Sequence, residues 1–159
     1  MAIAVMSDTH KLLIQRIKSL REEIDRNKQD IKEAAAHGDL SENAEYDSAK
    51  ERQSMLHYKL NQLQMYMNVE IFNKEDIITD RVSFGTSIQL KDLNSGDDVH
   101  YNLLGPAELE LENYPDIMTY TSPLAKVLIG KKEGEIAEIK REDKHLKFEI
   151  QDIQSAWRD

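Results

Sequence analysis

The chain has no cysteine, which excludes a disulfide framework and any thiolate metal site. Its first 72 residues contain no proline, and Gly38 is the only glycine among them, so helix is interrupted at one point at most. Aromatic residues are scarce, at 6%, which is thin material for one large core. No apolar run approaches the roughly 18–20 residues that span a bilayer. The opening Met1-Ala2-Ile3-Ala4-Val5 lacks the basic flank and long apolar segment of a secretory signal. A cytoplasmic protein with no membrane partner is therefore expected. Basic excess is missing too: the formal charge is −9, against a protein that coats nucleic acid with its whole surface.

What is present suits an arm beside a small domain. Of 159 residues, 40% are hydrophobic and 32% charged, a globular but heavily solvated balance. Residues 1–72 carry 10 Lys/Arg against 12 Asp/Glu, a net of −2, whereas 73–159 carry 11 against 18, a net of −7. Contact with nucleic acid is expected from the first half.

That half is patterned. Leu13, Ile17, Leu20, Ile24, Asn27, Ile31 and Ala34 alternate spacings of four and three, the seam of a coiled coil. After Gly38, Tyr46, Ala49, Gln53, Leu56, Leu60, Leu63 and Met67 repeat the pattern in reverse. The numbers of each matched pair, from Leu13 with Met67 to Ala34 with Tyr46, add to one constant total. An antiparallel pair folded about Leu40 brings these residues level, and its one polar break, Asn27, then faces the other, Gln53. A buried amide pair fixes register at some cost in stability. The arm from Leu13 to Ala34 is about 30 Å long at 1.5 Å per residue. Two amphipathic helices packing separately are the plainer alternative.

The turn reads Gly38-Asp39-Leu40-Ser41-Glu42-Asn43-Ala44-Glu45-Tyr46. Local chemistry explains part of it. Gly38 suits the left-handed residue that closes a helix. Asp39 or Ser41 can cap the next one, and Asp39-x-x-Glu42 has capping-box spacing. Yet Asp39, Glu42, Glu45 and Asp47 exceed what capping needs. Carboxylates are hard ligands for Mg²⁺, but two of them leave most of its six positions open. Held at the end of a rod, Asp39 and Glu42 are suited to complete a site whose remaining ligands lie in a partner.

These nine residues closely resemble the tip motif of the Gre transcript-cleavage factors (GreA and GreB), whose tip also ends a coiled coil. The resemblance implies an accessory transcription elongation factor, not an enzyme by itself. Its tip would enter the secondary channel of bacterial RNA polymerase and stimulate the polymerase's cleavage of backtracked RNA at the nascent 3′ end. Asp39 and Glu42 would share a Mg²⁺ ion with the polymerase, with none held tightly by the isolated protein. Asn43, Glu45 and Tyr46 would support the tip and face the polymerase, and Lys50 and Arg52 would touch RNA, though as residues they read equally as solvated helix charges. Members commonly carry an Arg-Pro break in the first helix and a glycine near its start. Here Arg21–Lys32 has no proline, Thr9 is followed by His10-Lys11, and the first helix looks a few residues short. The nearly neutral arm resembles GreA more than the more basic GreB.

Beyond about residue 74 the pattern becomes strand-like, with segments Val82–Leu90, Val99–Leu104, Met118–Thr121, Ile136–Lys140 and Leu146–Ile153. Asn94-Ser95-Gly96-Asp97 and Glu142-Asp143-Lys144 read as hairpin connections. Ser122 to Gly130 predicts a short helix, with Ser as cap, Pro123 at the first position and Gly after the end. The expected fold is α+β: a coiled-coil hairpin over 1–74 with its tip at 38–46, then a small sheet with one helix over 75–159. The second part resembles the FKBP-like domain of Gre factors. That likeness implies docking on the rim of the polymerase channel through Ser122, Pro123, Leu124 and Ala125, which otherwise read as a helix start packed on a sheet.

Two rival functions stand beside this one. A Gre-fold regulator would occupy the channel and modulate or inhibit the polymerase without cleavage. A prolyl isomerase or chaperone would use the second domain, although its few aromatics (Phe84, Tyr101, Tyr114, Tyr120, Phe148) make a poor proline pocket. The five histidines show no metal-ligand spacing, and Trp157 reads as an anchor for the terminus.

Overall fold

The computed structural model describes residues 2–38 and 43–158. The chain divides into two compact units: Lys11–Asn68, and Met1–His10 together with Val69–Asp159. No helix among the described residues is long and apolar enough to cross a membrane.

The first unit is the helical hairpin. Helix α1 runs Ser7–Ala35 without a break, and α2 runs Ala44–Gln64. Asp8 in the first turn of α1 and Lys32 in its last both favour the helix dipole. Gly38 follows α1 at φ +109°, the positive region the sequence reserved for it. The seam is as the spacing predicts over most of its length. Leu13, Ile17, Ile24 and Ala34 on one side and Leu56, Leu60 and Leu63 on the other are buried. Each buried Leu or Ile contributes about 1.5–3 kcal/mol. Asn27 is 2% exposed, and its Nδ2 donates to Gln53 Oε1 and to the Ala49 carbonyl, both at 2.8 Å. The polar breaks therefore meet. Met67, the predicted partner of Leu13, lies beyond the end of the second helix. Helix α2 stops at Gln64 and Met67 is 41% exposed, because the chain leaves the helix before entering a strand at Val69.

The second unit holds two sheets. Strands β1 (Ile3–Met6) and β2 (Val69–Phe72) form a parallel ribbon. Strands β3 (Thr86–Asp92), β4 (Asp98–Leu104), β5 (Ile117–Thr119), β6 (Ile136–Arg141) and β7 (Lys144–Ser155) form a sheet ordered β5-β4-β3-β7-β6. Its pairs are antiparallel except β4 with β5. Inward residues alternate along β3, where Ile88 and Leu90 are fully buried, and join Leu103, Met118, Leu128, Phe148 and Ile150 in the main core. Helix α4 (Pro123–Leu128) starts as predicted: the Ala125 N–H donates to Ser122 Oγ at 3.3 Å.

Four elements were not anticipated: β1, β2, a single 3-10 turn at Lys74–Asp76 and helix α3 (Pro106–Leu111). All are six residues or fewer, too short to show a period. Pro106 at the first helical position and Glu108 two places on were the available signals for α3. Gly105, just before it, lets backbones meet closely: a Cβ there would sit 2.8 Å from the Ala4 carbonyl oxygen.

The sequence pattern places residues 1–10 with the hairpin, within a 1–74 domain. Here they fold with the sheets. Besides the β1–β2 ribbon, the Met6 N–H donates to Glu108 Oε2 (3.4 Å) and Asn113 Nδ2 donates to Thr9 Oγ1 (2.9 Å). The Tyr114 hydroxyl donates to Asp8 Oδ2 at 2.7 Å. Burial and that carboxylate push the Tyr114 hydroxyl above its ordinary pKa.

Candidate functional site

The turn of the hairpin is the candidate site. Asp39 and Glu42, the predicted metal-binding pair, lie outside the described residues, as do Leu40 and Ser41. What stands on either side is clear. The cap of α2, which the sequence offered to Asp39 or Ser41, belongs to Asn43. Its Oδ1 accepts from the Tyr46 N–H at 3.1 Å, in extended backbone conformation. Its Nδ2 meanwhile donates to the Ala34 carbonyl at 2.6 Å, in the last turn of α1. One side chain thus closes the helix start and ties both helices together at the mouth of the turn. With Asn43 as cap, helix capping no longer explains why acidic residues precede it.

The other predicted tip residues divide. Glu45 is exposed in the first turn of α2, with Asp47, where the helix dipole favours both charges. Tyr46 is half-buried, and the Lys50 ammonium stands 5.2 Å from its ring centroid. Such an exposed cation–π contact is worth about 0.5–1 kcal/mol. Arg52 reaches across the hairpin to Glu23 at 3.6 Å. Both side chains are substantially exposed, so the pair contributes at most about 1 kcal/mol. The two proposed RNA-contacting cations therefore have partners within the protein, held weakly enough to be given up. A groove below the turn is lined by Asp30, Glu33, His37, Glu45 and Arg52. Among the described residues no three His, Asp or Glu side chains converge as a metal site.

The four residues expected to dock on a partner also divide. Ser122 is committed to capping α4, Leu124 packs against the main core, and Ala125 is fully buried in it. Only Pro123 is exposed. Sequence could not separate them, because burial within a six-residue helix depends on what it packs against.

Rival chemistry finds little footing. Phe148 and Tyr114 are buried, and Phe84 packs on Phe72 (4.9 Å) and edge-on to Tyr120 (6.0 Å), so these aromatics fill cores. Ser87, His100 and Asp116 fall in the order of a hydrolase triad, but His100 Nδ1 is 3.7 Å from Asp116 Oδ2. That exceeds a hydrogen bond, and the His100 and Asp116 side chains are exposed, so the trio is a surface polar contact.

Comparison with known sequences decides the family. Residues 5–69 match the family described as "Transcription elongation factor, N-terminal", and 77–155 match "Transcription elongation factor, GreA/GreB, C-term". A curated relative, "Transcription elongation factor GreA" of Chloroherpeton thalassium, is 36% identical over 157 residues, covering 93% of this chain and 98% of its own. The chain belongs to the GreA/GreB family of transcription elongation factors. A second relative, "Transcription elongation factor GreA" of Anaeromyxobacter sp. (strain K), is 38% identical over 125 residues, 78% of this chain and 74% of its own. Among solved structures, GreA factor homolog 1 (Gfh1) of Thermus thermophilus aligns over 98% of this chain and 100% of its own. Its identity is 17% and its TM-score 0.45, too loose a likeness to bear on function.

Proposed function

We propose that this chain is an elongation factor of bacterial RNA polymerase that inserts its hairpin turn into the secondary channel and stimulates the polymerase's own cleavage of backtracked RNA. The observation that carries the reading is the Asn27–Gln53 bond, which holds the two helices in the antiparallel register expected of an arm whose far end bears Asp39 and Glu42. Family membership supports it independently.

Asp39 and Glu42 have the hard oxygen donors that suit Mg²⁺, but too few of them to enclose it, so the polymerase is the source of the remaining ligands. When bound, Mg²⁺ supplies charge stabilisation and an activated water for in-line attack on the RNA phosphodiester. This chain's part is to bring two carboxylates to the polymerase on a narrow support. Lys50 and Arg52 exchange their weak internal contacts for RNA phosphate. Pro123 and its exposed neighbours form part of the surface that docks on the channel rim.

The test is cleavage of 3′ RNA in stalled elongation complexes. Asp39→Ala and Glu42→Ala are each expected to lower stimulated cleavage by about 100-fold, comparable to losing one preorganised transition-state contact. Retention of full stimulation by both variants would overturn the mechanism. Wild-type protein that binds the complex but releases no short 3′ fragment would identify a non-cleaving channel regulator instead.

A further inference from the structure

The groove on the hairpin has a volume of about 520 Å³, with small apolar residues and carboxylates in its lining. Ala34, Ala44 and Ala49 supply the apolar part. Asp30 and Glu33, about one turn apart on α1, and Glu45 on α2 supply the carboxylates, and all three are exposed. The Arg52 guanidinium, also in the lining, is drawn to Glu23 at 3.6 Å. Among the described residues the ion pairs of this unit, Lys28–Asp25 and Arg52–Glu23, leave the three groove carboxylates without a cation. Asn27 lines the groove as well, and is 2% exposed. Its Nδ2 donates to Gln53 and to the Ala49 carbonyl, and Gln53 lines a different groove, with Lys50 and His57. An amide is planar, so with Nδ2 turned to Gln53 the Oδ1 end is turned toward the acidic groove. No donor among the described residues reaches that Oδ1. Buried acceptors are as a rule paired, so this one marks a place for a donor from outside the chain.

We propose that this groove is a binding site for a linear aliphatic polyamine, its ammonium groups held by Asp30, Glu33 and Glu45 and one N–H directed at Asn27 Oδ1. The carboxylates do not converge as a metal site, and a single divalent ion needs oxygens gathered around one point. A cation whose charges are spread along a chain suits carboxylates spread along a groove. Each ammonium is a pure donor, matched to carboxylate and amide oxygens alike. The methylenes between ammonium groups lie against the alanines, as a lysine stem lies against apolar surface. The site belongs to the hairpin unit alone, and its occupancy is independent of the cleavage function proposed above.

The test titrates the isotope-labelled full chain with spermidine at low ionic strength and follows it by NMR. The Asn27 side-chain amide and the Asp30 and Glu33 carboxyl ¹³C resonances should shift together, with half-saturation on the order of 1 mM. Resonances of Ser54, His57 and Asn61, in the other groove, should stay in place. Hexamethylenediamine and hexamethonium carry the same charge, but only the first has N–H groups. The diamine should bind about tenfold more tightly, the value of hydrogen bonds made by a charged donor. Asp30→Asn and Glu33→Gln lie on exposed positions, so both should keep the wild-type unfolding midpoint and each should weaken spermidine binding about two- to fivefold. Equal shifts from Mg²⁺ or from hexamethonium would reduce the effect to charge screening and overturn the proposal. So would spermidine shifts spread evenly over the acidic surface, wild-type affinity in both variants, or the absence of any shift at the Asn27 amide.

Discussion

Glu108 is a fully buried carboxylate that accepts from the Gly105 N–H (Oε1, 3.0 Å) and the Met6 N–H (Oε2, 3.4 Å). Burial raises its pKa above the usual carboxylate value; hydrogen bonds from Thr9, Gly105 and Met6 oppose the rise, and the nearby Asp8 charge adds to it. A raised folded-state pKa means stability that is fully present below the unfolded value and lost as pH climbs through the folded one. Glu108→Gln removes this dependence but can satisfy only one of the two N–H groups. At about pH 4 the variant should be less stable than wild type by roughly 1–2 kcal/mol, and the gap should narrow toward pH 7. Urea unfolding at several pH values checks this; a gap that widens with pH would contradict the assignment. The composition gave no sign of this residue, because a Glu in a six-residue helix reads as solvated until β1 is laid against it.

At the scale of elements, the Asn27–Gln53 layer interrupts an otherwise apolar seam. Asn27 uses both amide hydrogens, yet no donor among the described residues reaches its buried Oδ1. The layer therefore carries a standing desolvation cost, and its use is in register rather than stability. Asn27→Leu combined with Gln53→Leu should be neutral or stabilising, by up to about 2 kcal/mol, whereas Asn27→Ala alone should cost about 1–3 kcal/mol. A double-mutant cycle on the unfolding free energy tests the coupling; additivity of the two single changes would show that the bond contributes nothing. This element was readable in advance because a seam repeats every three or four residues over many turns. The end of α2 was not, since leaving the helix at Gln64 is imposed by the pairing of Val69–Phe72 with Ile3–Met6.

For the whole molecule, the division into units redraws both domain boundary and charge. Lys11–Asn68 contains 10 basic and 10 acidic residues, so the hairpin unit is neutral, and the remaining residues hold 11 against 20, the entire −9. A neutral arm can approach nucleic acid without the repulsion that an acidic one meets. The N-terminal strand belongs to the sheet-bearing unit, with Val5 and Met6 fully buried. Deleting Met1–Met6 should therefore destabilise that unit by several kcal/mol, at about 1.5–3 kcal/mol for each buried side chain. In hydrogen exchange, amides of Val69–Phe72 and of residues 107–111 should lose protection while those of residues 56–63 keep it. Loss of protection in the hairpin instead would show that the strand supports the arm.

The sequence by itself determined the antiparallel hairpin, its register, the position of its turn and the family, because long-period seams and a nine-residue motif are local facts about the chain. It also located most strands of the main sheet, whose alternation is equally local. Tertiary structure alone decided that residues 1–10 join the sheets, that Ala125 and Glu108 are buried, and that Asn43 rather than Asp39 or Ser41 caps α2. Each of these depends on a partner distant in sequence or on which of several suitable side chains the backbone brings within reach. Spacing cannot encode such choices, and only the packed chain makes them.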